Sequence, residues 1–573
     1  MKIKSAIVLL FVLFSVIPVQ ALYKEGKDSY GTYYVEDRLT YPIIFIPGMA
    51  GSNLDVGGGE NAWPGGLSTN DDAFSVLALK EDGRSPAAGA LPVATSVMRY
   101  GAGNVYMIAG DWQFAPIYQG FYDYMASEGY TIEPNTNGKQ FFDFPYDFRQ
   151  DNRRWTPLLD NLINKALEKT KSDKVILFVH SMGGYQARLY MKDPARAKKV
   201  AGVVFMGTPH HGAAIAFWAF SEGYNFDNKK LSDKKMWEIS PNWMGGYQLL
   251  PDYSVVQDNN GFWPLEKMYG QDWISSQEYA HYLEAKKQGK QYTIRYGLPN
   301  HKFTQDSIAF HQYLGNTVDK YDWVKYYMIE GVQQPTAQYL EGALEDVGLD
   351  KPVLRLKKVQ TGRGDGTVGS AGARIDGVDE KFTVASQHGE IPSNALTHPI
   401  LTQLRKKINN EDKRGQTVAL IRQYADSRLG ETKSWVFTSP EEKSIVVNLV
   451  LLLLRGAPDK EKMELRDEIR KRIKAMAEFA HVNIIVAAGT PQEDKFYVAV
   501  NNAQVVDAGT GTIRPSNVIV NIDSFDTLNA IATHRMTLSE ALKNGNLKFK
   551  GVSAMEKLKY KMFAWIAKYG SRS

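Results

Sequence analysis

The chain has 573 residues, too many for one compact core, so two or more domains are expected. Its composition, 43% hydrophobic and 23% charged, is that of ordinary globular protein, and a net charge of +5 gives no argument for nucleic acid as a partner. It contains no cysteine, which excludes disulfides, thiolate metal sites and a cysteine nucleophile.

The N-terminus carries an export signal. Lys2 and Lys4 precede the apolar run Ala6 to Ile17, and Val19-Gln20-Ala21 places small residues at −3 and −1 of a cleavage site, so residues 1–21 are expected to be a signal peptide. The run is short for a membrane span, which needs about 20 residues, so an uncleaved anchor is the lesser alternative. Pro42-Ile43-Ile44-Phe45-Ile46 reads as an early buried strand followed by the small-residue loop Pro47-Gly48-Met49-Ala50-Gly51-Ser52. The Gly-rich stretch from Val56 to Pro92 is a long loop and a candidate lid. Phe144-Pro145-Tyr146-Asp147-Phe148-Arg149 holds an acid and a base two residues apart, read as a structural ion pair and not as chemistry.

The most informative segment comes next. The apolar run Lys174 to Phe178 leads through Val179-His180 into Ser181-Met182-Gly183-Gly184 and then a helix-forming stretch from Tyr185. A strand, one serine and an immediate helix make a nucleophile elbow, which pushes the serine hydroxyl out at the end of a parallel sheet. Val179 stands where the usual pattern has its first glycine. Ser181 is the expected nucleophile, and it needs a base, an orienting acid and oxyanion donors. The donors expected are the N–H of Met182, which follows the nucleophile, and that of Met49 in the early loop.

Behind Val200 to Phe205, another strand, stands Met206-Gly207-Thr208-Pro209-His210-His211-Gly212. Aromatics form 12% of the chain and crowd the insertion at 213–350, from Phe217-Trp218 to Tyr326-Tyr327. So long a segment either carries structure of its own or is functional, here as a cap or lid. Val353 through Val359 reads as a strand leading to Gly364-Asp365-Gly366, and chain order after an elbow serine makes Asp365 the expected acid. Phe382 to Ser386 is a short strand with His388 just past its end, where the base belongs. His398, before the next helix, is its rival.

Beyond residue 405 the texture changes. Residues 406–435 read as a linker, and residues 436–573 as a smaller α/β domain with strands at Val482–Val486, Phe496–Val500, Val518–Ile522 and Leu547–Lys550. Thr537-Leu538-Ser539-Glu540 is a capping box, and Val552, Met555, Leu558, Met562 and Ile566 recur at helical spacing in a last, Lys-bearing helix. The apolar run Ile445 to Leu454 is too short and too interrupted for a span. No spacing marks a set of metal ligands, and the serine chemistry calls for no cofactor.

Several of these blocks together resemble the lecithin:cholesterol acyltransferase-like branch of the α/β-hydrolase lipases, over roughly residues 40 to 405. They are the Pro47–Ser52 loop, Pro145-Tyr146-Asp147-Phe148-Arg149, the His-Ser-Met-Gly-Gly elbow, Met206–Gly212 and Gly364-Asp365-Gly366-Thr367-Val368. The resemblance implies an α/β-hydrolase fold over 22–405, with the cap at 213–350, and acyl-ester chemistry on a lipid. Eukaryotic members use disulfides, which this chain cannot form, so a prokaryotic relative is the better comparison. Asn546-Leu547-Lys548-Phe549-Lys550-Gly551 and the strand order after 436 resemble the sterol-carrier-protein fold, which implies a lipid-binding C-terminal domain. The reading is therefore an exported lipase or esterase working through Ser181, His388 and Asp365, in contact with lipid and possible membrane surface. A lipid O-acyltransferase with the same residues and a lipid carrier with a degenerate hydrolase domain are the alternatives.

Overall fold

The computed structural model describes residues 24–28, 31–36, 40–57, 61–65, 69–108, 111–132, 139–170, 172–224, 228, 230–293, 299–410, 415–423, 479–490, 492–501, 504–514, 516, 518–533 and 535–551. The expected signal peptide, the run Ile445–Leu454, most of the expected linker and the last helix lie outside them. The chain divides into two compact units, one made of residues 41–133 and 140–408, the other of the described residues of 1–40, 134–139 and 409–573.

The larger unit is built on a parallel sheet whose strands are β1 (Ile43–Ile46), β2 (Phe141–Asp143), β3 (Val175–His180), β4 (Val200–Met206), β5 (Lys325–Val332) and, after an interruption, β8 (Glu380–Ala385). Their order across the sheet is β2-β1-β3-β4-β5-β8, every neighbour parallel. β1, β3 and β4 are buried at every residue, as parallel strands covered on both faces must be. Alternate side chains sort to the two faces. Ile44, Ile46, Leu177, Val179 and Val203 pack with helices α2 (Thr156–Thr170) and α3 (Gly183–Met191). Ile43, Phe45, Ile176, Phe178 and Val204 pack with α1 (Gln119–Ser127) and α5 (Thr397–Ile408). This is an α/β-hydrolase fold, with β3 at the middle of its sheet.

Two expectations about the insertion change. The expected span 213–350 takes in β5, so Tyr326 and Tyr327 belong to the main sheet and not to a cap. The Val353–Val359 strand is part of β7 (Val353–Gly364), which pairs antiparallel with β6 (Gln334–Glu345) in a separate five-stranded sheet. The main-sheet strand that precedes Asp365 is β5, and the β6–β7 hairpin is a detour between them. β5 is covered along nearly its whole length, while β7 is buried at Val353, Leu354 and Leu356 and largely exposed from Lys357 to Arg363. Between β4 and β5 the chain forms short helices, including α4 (Ala214–Glu222), around a core of Phe217, Tyr247, Trp263, Tyr269 and Trp273, to which the hairpin adds Leu340, Leu354 and Leu356. Most of the aromatics there are the insertion's own core.

The candidate lid from Val56 to Pro92 is held down over its described residues. It carries a short 3-10 helix (Asp71–Leu77) with Phe74 and Leu77 fully buried. Arg149, itself without exposure, donates from Nη1 to the Leu77 carbonyl at 3.0 Å and from Nη2 to the Pro92 carbonyl at 3.0 Å. Its remaining donors meet Asp147 in a two-pronged pair, Nε to Oδ1 at 2.8 Å and Nη2 to Oδ2 at 2.7 Å. The Trp243 indole adds a bond to the same Leu77 carbonyl at 3.0 Å.

In the smaller unit, strands Phe479–Val486, Asp494–Asn501, Gln504–Thr510, Val518–Ile522 and Leu547–Gly551 form a mixed sheet in the order 504–510, 494–501, 479–486, 518–522, 547–551. One of its pairings, 479–486 with 518–522, is parallel. Val486, Phe496, Val498, Ile522, Leu528 and Ile531 make its core, and Thr537 and Glu540 close the expected capping box. Strands Lys24–Asp28 and Gly31–Glu36, expected within the hydrolase part, pair with each other and through Tyr34–Glu36 with Thr512–Arg514. The hydrolase unit begins only at Tyr41. Among the described residues no helix is long and apolar enough to cross a membrane.

Arg149→Met strands the Asp147 carboxylate in the core, and removing one partner of a buried pair typically destabilises by about 3–5 kcal/mol. A urea unfolding midpoint unchanged by that substitution would contradict the structural role given to the pair.

Candidate active site

Ser181 stands at the C-terminal end of β3, where ligands bind in open parallel sheets. Its φ is +53°, in the left-handed region that a non-glycine residue occupies only when its surroundings hold it there. Those surroundings are close-packed. A Cβ on Gly183 would lie 2.5 Å from the Ile46 carbonyl oxygen and 2.6 Å from that of Pro47, so only glycine lets α3 start this near the end of β1. The Ser181 amide donates to the Met206 carbonyl at 2.9 Å, which ties the turn to β4. Val179, in the place of the usual first glycine, is wholly buried and the turn forms regardless.

His388 opens a short 3-10 helix (His388–Ser393) just past β8. Its Nε2 lies 2.8 Å from Ser181 Oγ and its Nδ1 2.8 Å from Asp365 Oδ2. A carboxylate only accepts, so Nδ1 carries the proton and Nε2 is free to accept from the serine hydroxyl. The His388 amide also donates to the Asp365 carbonyl at 2.8 Å. Asp365 is 2% exposed, and its Oδ1 accepts from Thr367 N at 2.9 Å and Val368 N at 2.6 Å. Burial works to raise its pKa, but the His388 charge and hydrogen bond and these two amides outweigh burial and hold it below the ordinary value. His398 stands on α5 with its ring stacked on Tyr124, centroids 4.3 Å apart, and has no contact with Ser181.

The two expected oxyanion donors behave as a pair. Neither the Met182 N–H nor the Met49 N–H has a protein partner. The neighbouring Gly48 N–H is already committed, donating to Tyr118 Oη at 3.1 Å. A Cβ on Gly48 would lie 2.7 Å from Ser181 Cβ, which shows how closely this loop crosses the serine.

Two residues of this site had no role in the sequence reading. His180, 3% exposed, has Nδ1 2.7 Å from Tyr118 Oη and Nε2 2.9 Å from the His388 carbonyl oxygen. It lies within the elbow motif, so its position was visible but its partners were not. Tyr118, the residue before α1, carried no sequence signal. Among the described residues no group of three or more His, Asp or Glu is arranged to hold a metal ion.

Residues 108–353 match the family described as lecithin:cholesterol acyltransferase. No curated protein matches the chain. Solved structures similar to it include the Tle4–Tli4 complex (17% identity, 65% of this chain and 98% of that one, TM-score 0.39). The mature Bacillus licheniformis lipase BlEst2 is similar too (14% identity, 67% and 98% covered, TM-score 0.26). So is the phospholipase PlaB of Legionella pneumophila (11% identity, 78% and 70% covered, TM-score 0.24). At these scores they carry no argument, and the fold assignment rests on the strand order above.

The buried imidazoles make stability depend on pH. Desolvation lowers the pKa of His180 to about 3 and that of His311 to about 4, and drives that of His210 well below its ordinary 6.5. The unfolded chain takes up these protons near pH 6.5 and the folded chain does not, so their stabilising contribution is full above that pH. It falls as pH drops from 6.5 toward 4, by about 1.4 kcal/mol per pH unit for each fully affected histidine. Urea unfolding at pH 7, 6 and 5 should show that slope, and a flat profile would contradict it.

Proposed function

We propose that this chain, whose residues 108–353 match the lecithin:cholesterol acyltransferase family, is an exported serine esterase acting on acyl esters of lipids. The observation that carries the reading is the unbroken hydrogen-bond line from Ser181 Oγ through His388 to Asp365, 2.8 Å at each step, at the end of a central parallel strand. The family match supports the coarser statement, hydrolysis or transfer of a lipid acyl group.

In the mechanism, Ser181 Oγ attacks the ester carbonyl carbon as His388 Nε2 takes its proton. Asp365 keeps the ring in the required tautomer and stabilises the imidazolium. The carbonyl oxygen, now negative, accepts from the Met49 and Met182 amides, donors that typically contribute about 3 kcal/mol each to the transition state. His388 returns the proton to the leaving alcohol, and the acyl-enzyme is then opened by water activated by the same imidazole. An acceptor alcohol in place of water gives the acyltransferase reading with no change in these residues. Water needs no second binding site, so hydrolysis is the leading form.

The C-terminal unit is proposed as a lipid-binding domain of sterol-carrier type, supported by its mixed sheet and its apolar core. A carrier with an inactive hydrolase unit would share that domain but not need an intact Ser181–His388–Asp365 line.

The test is ester hydrolysis by the full chain on short- and long-chain acyl esters, with and without an added alcohol. Ser181→Ala should lower turnover at least about 10³-fold and Asp365→Asn about 10⁴-fold. Acyl product on the added alcohol would move the reading to transfer. Equal turnover by wild type and Ser181→Ala would remove the serine mechanism. Gly48→Ala, whose Cβ would press on Ser181 at 2.7 Å, should lower kcat about 10²-fold in a chain that still folds.

A further inference from the structure

His180 sits beside the nucleophile in sequence but points away from the reacting atoms, and the mechanism above makes no use of it. Its two ring nitrogens nonetheless connect the two halves of the site. Nε2 faces the His388 carbonyl oxygen, which can only accept, so Nε2 carries the proton. Nδ1 must then accept, and its partner at 2.7 Å is the Tyr118 hydroxyl. With its O–H donating to His180, that oxygen uses a lone pair to accept the Gly48 N–H at 3.1 Å. The polarity of the chain is thus fixed at every link: Gly48 N–H to Tyr118 Oη, Tyr118 O–H to His180 Nδ1, His180 Nε2–H to the His388 carbonyl.

We propose that His180 and Tyr118 are positioning residues that hold the oxyanion loop and the backbone of the base at a fixed distance across Ser181. The proposal rests on the serine-ester reading above. At one end the relay fixes Gly48, whose neighbour Met49 presents the free N–H. At the other end it fixes the main chain of His388, whose ring and amide are already held by Asp365. Three tethers on His388 therefore come from two separate parts of the fold, strand β3 and the segment after β7. The occupied Gly48 N–H also explains why Met49, and not Gly48, is left to face the developing oxyanion.

Neutrality is what lets His180 do this. The ring is 3% exposed, and burial, followed by the charge on His388, pulls its pKa down to about 3. It stays uncharged while His388 becomes a cation 4.9 Å away, centroid to centroid. Were it to take up a proton, Nδ1 would become a donor and the Tyr118 hydroxyl would have to turn from it. Burial favours the neutral phenol of Tyr118 in the same way.

The test uses the full chain, with Tyr118→Phe, His180→Phe and the double substitution, each checked for native near-ultraviolet circular dichroism. Expected is a fall in kcat of about 10- to 100-fold with KM within about twofold, since displaced reacting groups lose rate more than binding. Affinity for an alkylboronic acid, which engages both Ser181 and the oxyanion donors, should fall in step. Because the two side chains form one relay, the double variant should be no slower than the slower single one. Unchanged kcat in the single variants, or losses that multiply in the double, would overturn the proposal. The ¹⁵N spectrum of histidine-labelled wild type gives a check that needs no folded variant: His180 should be neutral and protonated at Nε2 at pH 7, and an Nδ1–H or charged ring there overturns it. A wild-type chain that neither turns over esters nor takes a fluorophosphonate on Ser181 would sink the serine-ester reading itself, a failure seen before any variant is made.

Discussion

The site depends on one backbone conformation, the left-handed φ of Ser181. It is unfavourable for a serine, and it persists because the residues on either side have no room to relax it. β3 arrives fully buried between β1 and β4, and α3 leaves at once over the carbonyls that end β1, a path open only to a residue without Cβ at 183. The strain is thus held by the burial of the whole sheet. A hydroxyl displayed this way meets the imidazole directly, with His388 Nε2 and Ser181 Oγ at hydrogen-bond distance.

Much of this was legible in the chain because it is local. The elbow, the loop at Gly48-Met49 and the turn at Gly364-Asp365-Gly366 each consist of adjacent residues whose types are dictated by backbone geometry. The buried strands read as apolar runs for the same reason: both faces of a parallel sheet are covered. His388 was favoured over His398 by its place just past a strand, though the sequence left both open. What escaped reading is what depends on distant partners. The apolar start of β7 looks like a core strand until its partner β6 is known, and the covered strand before Asp365 was hidden among the aromatics assigned to the insertion. Lys24–Glu36 precedes the hydrolase strands in sequence but pairs with Thr512–Arg514, a connection no local pattern announces. Tyr118 gave no signal at all, since a tyrosine before a helix is ordinary until its hydroxyl is seen between Gly48 and His180.

The Asp147–Arg149 pair illustrates how a motif can be specific without being chemical. The guanidinium spends every described bond on carboxylate and main-chain oxygens, and it joins the segment after β2 to Leu77 and Pro92, far away in sequence. Lysine could not replace it, because a point charge has no planar fork to divide among a carboxylate and two carbonyls. The block is therefore a clasp for a long loop, and its sequence specificity reflects a geometric demand on the fold.

The β6–β7 hairpin has a consequence for how this architecture tolerates change. Its two strands leave β5 and return to the same point, Gln334 opposite Gly364, with Asp365 immediately following. The excursion therefore has almost no net displacement, and the position of the acid is set at the hairpin's base and not at its tip. Residues 348–352, exposed beyond the buried Val347, are the part of the hairpin where a change in chain length is least coupled to the placement of Asp365 beside His388. Length at the tip and position at the base are thus decoupled, and Asp365 keeps its place beside His388.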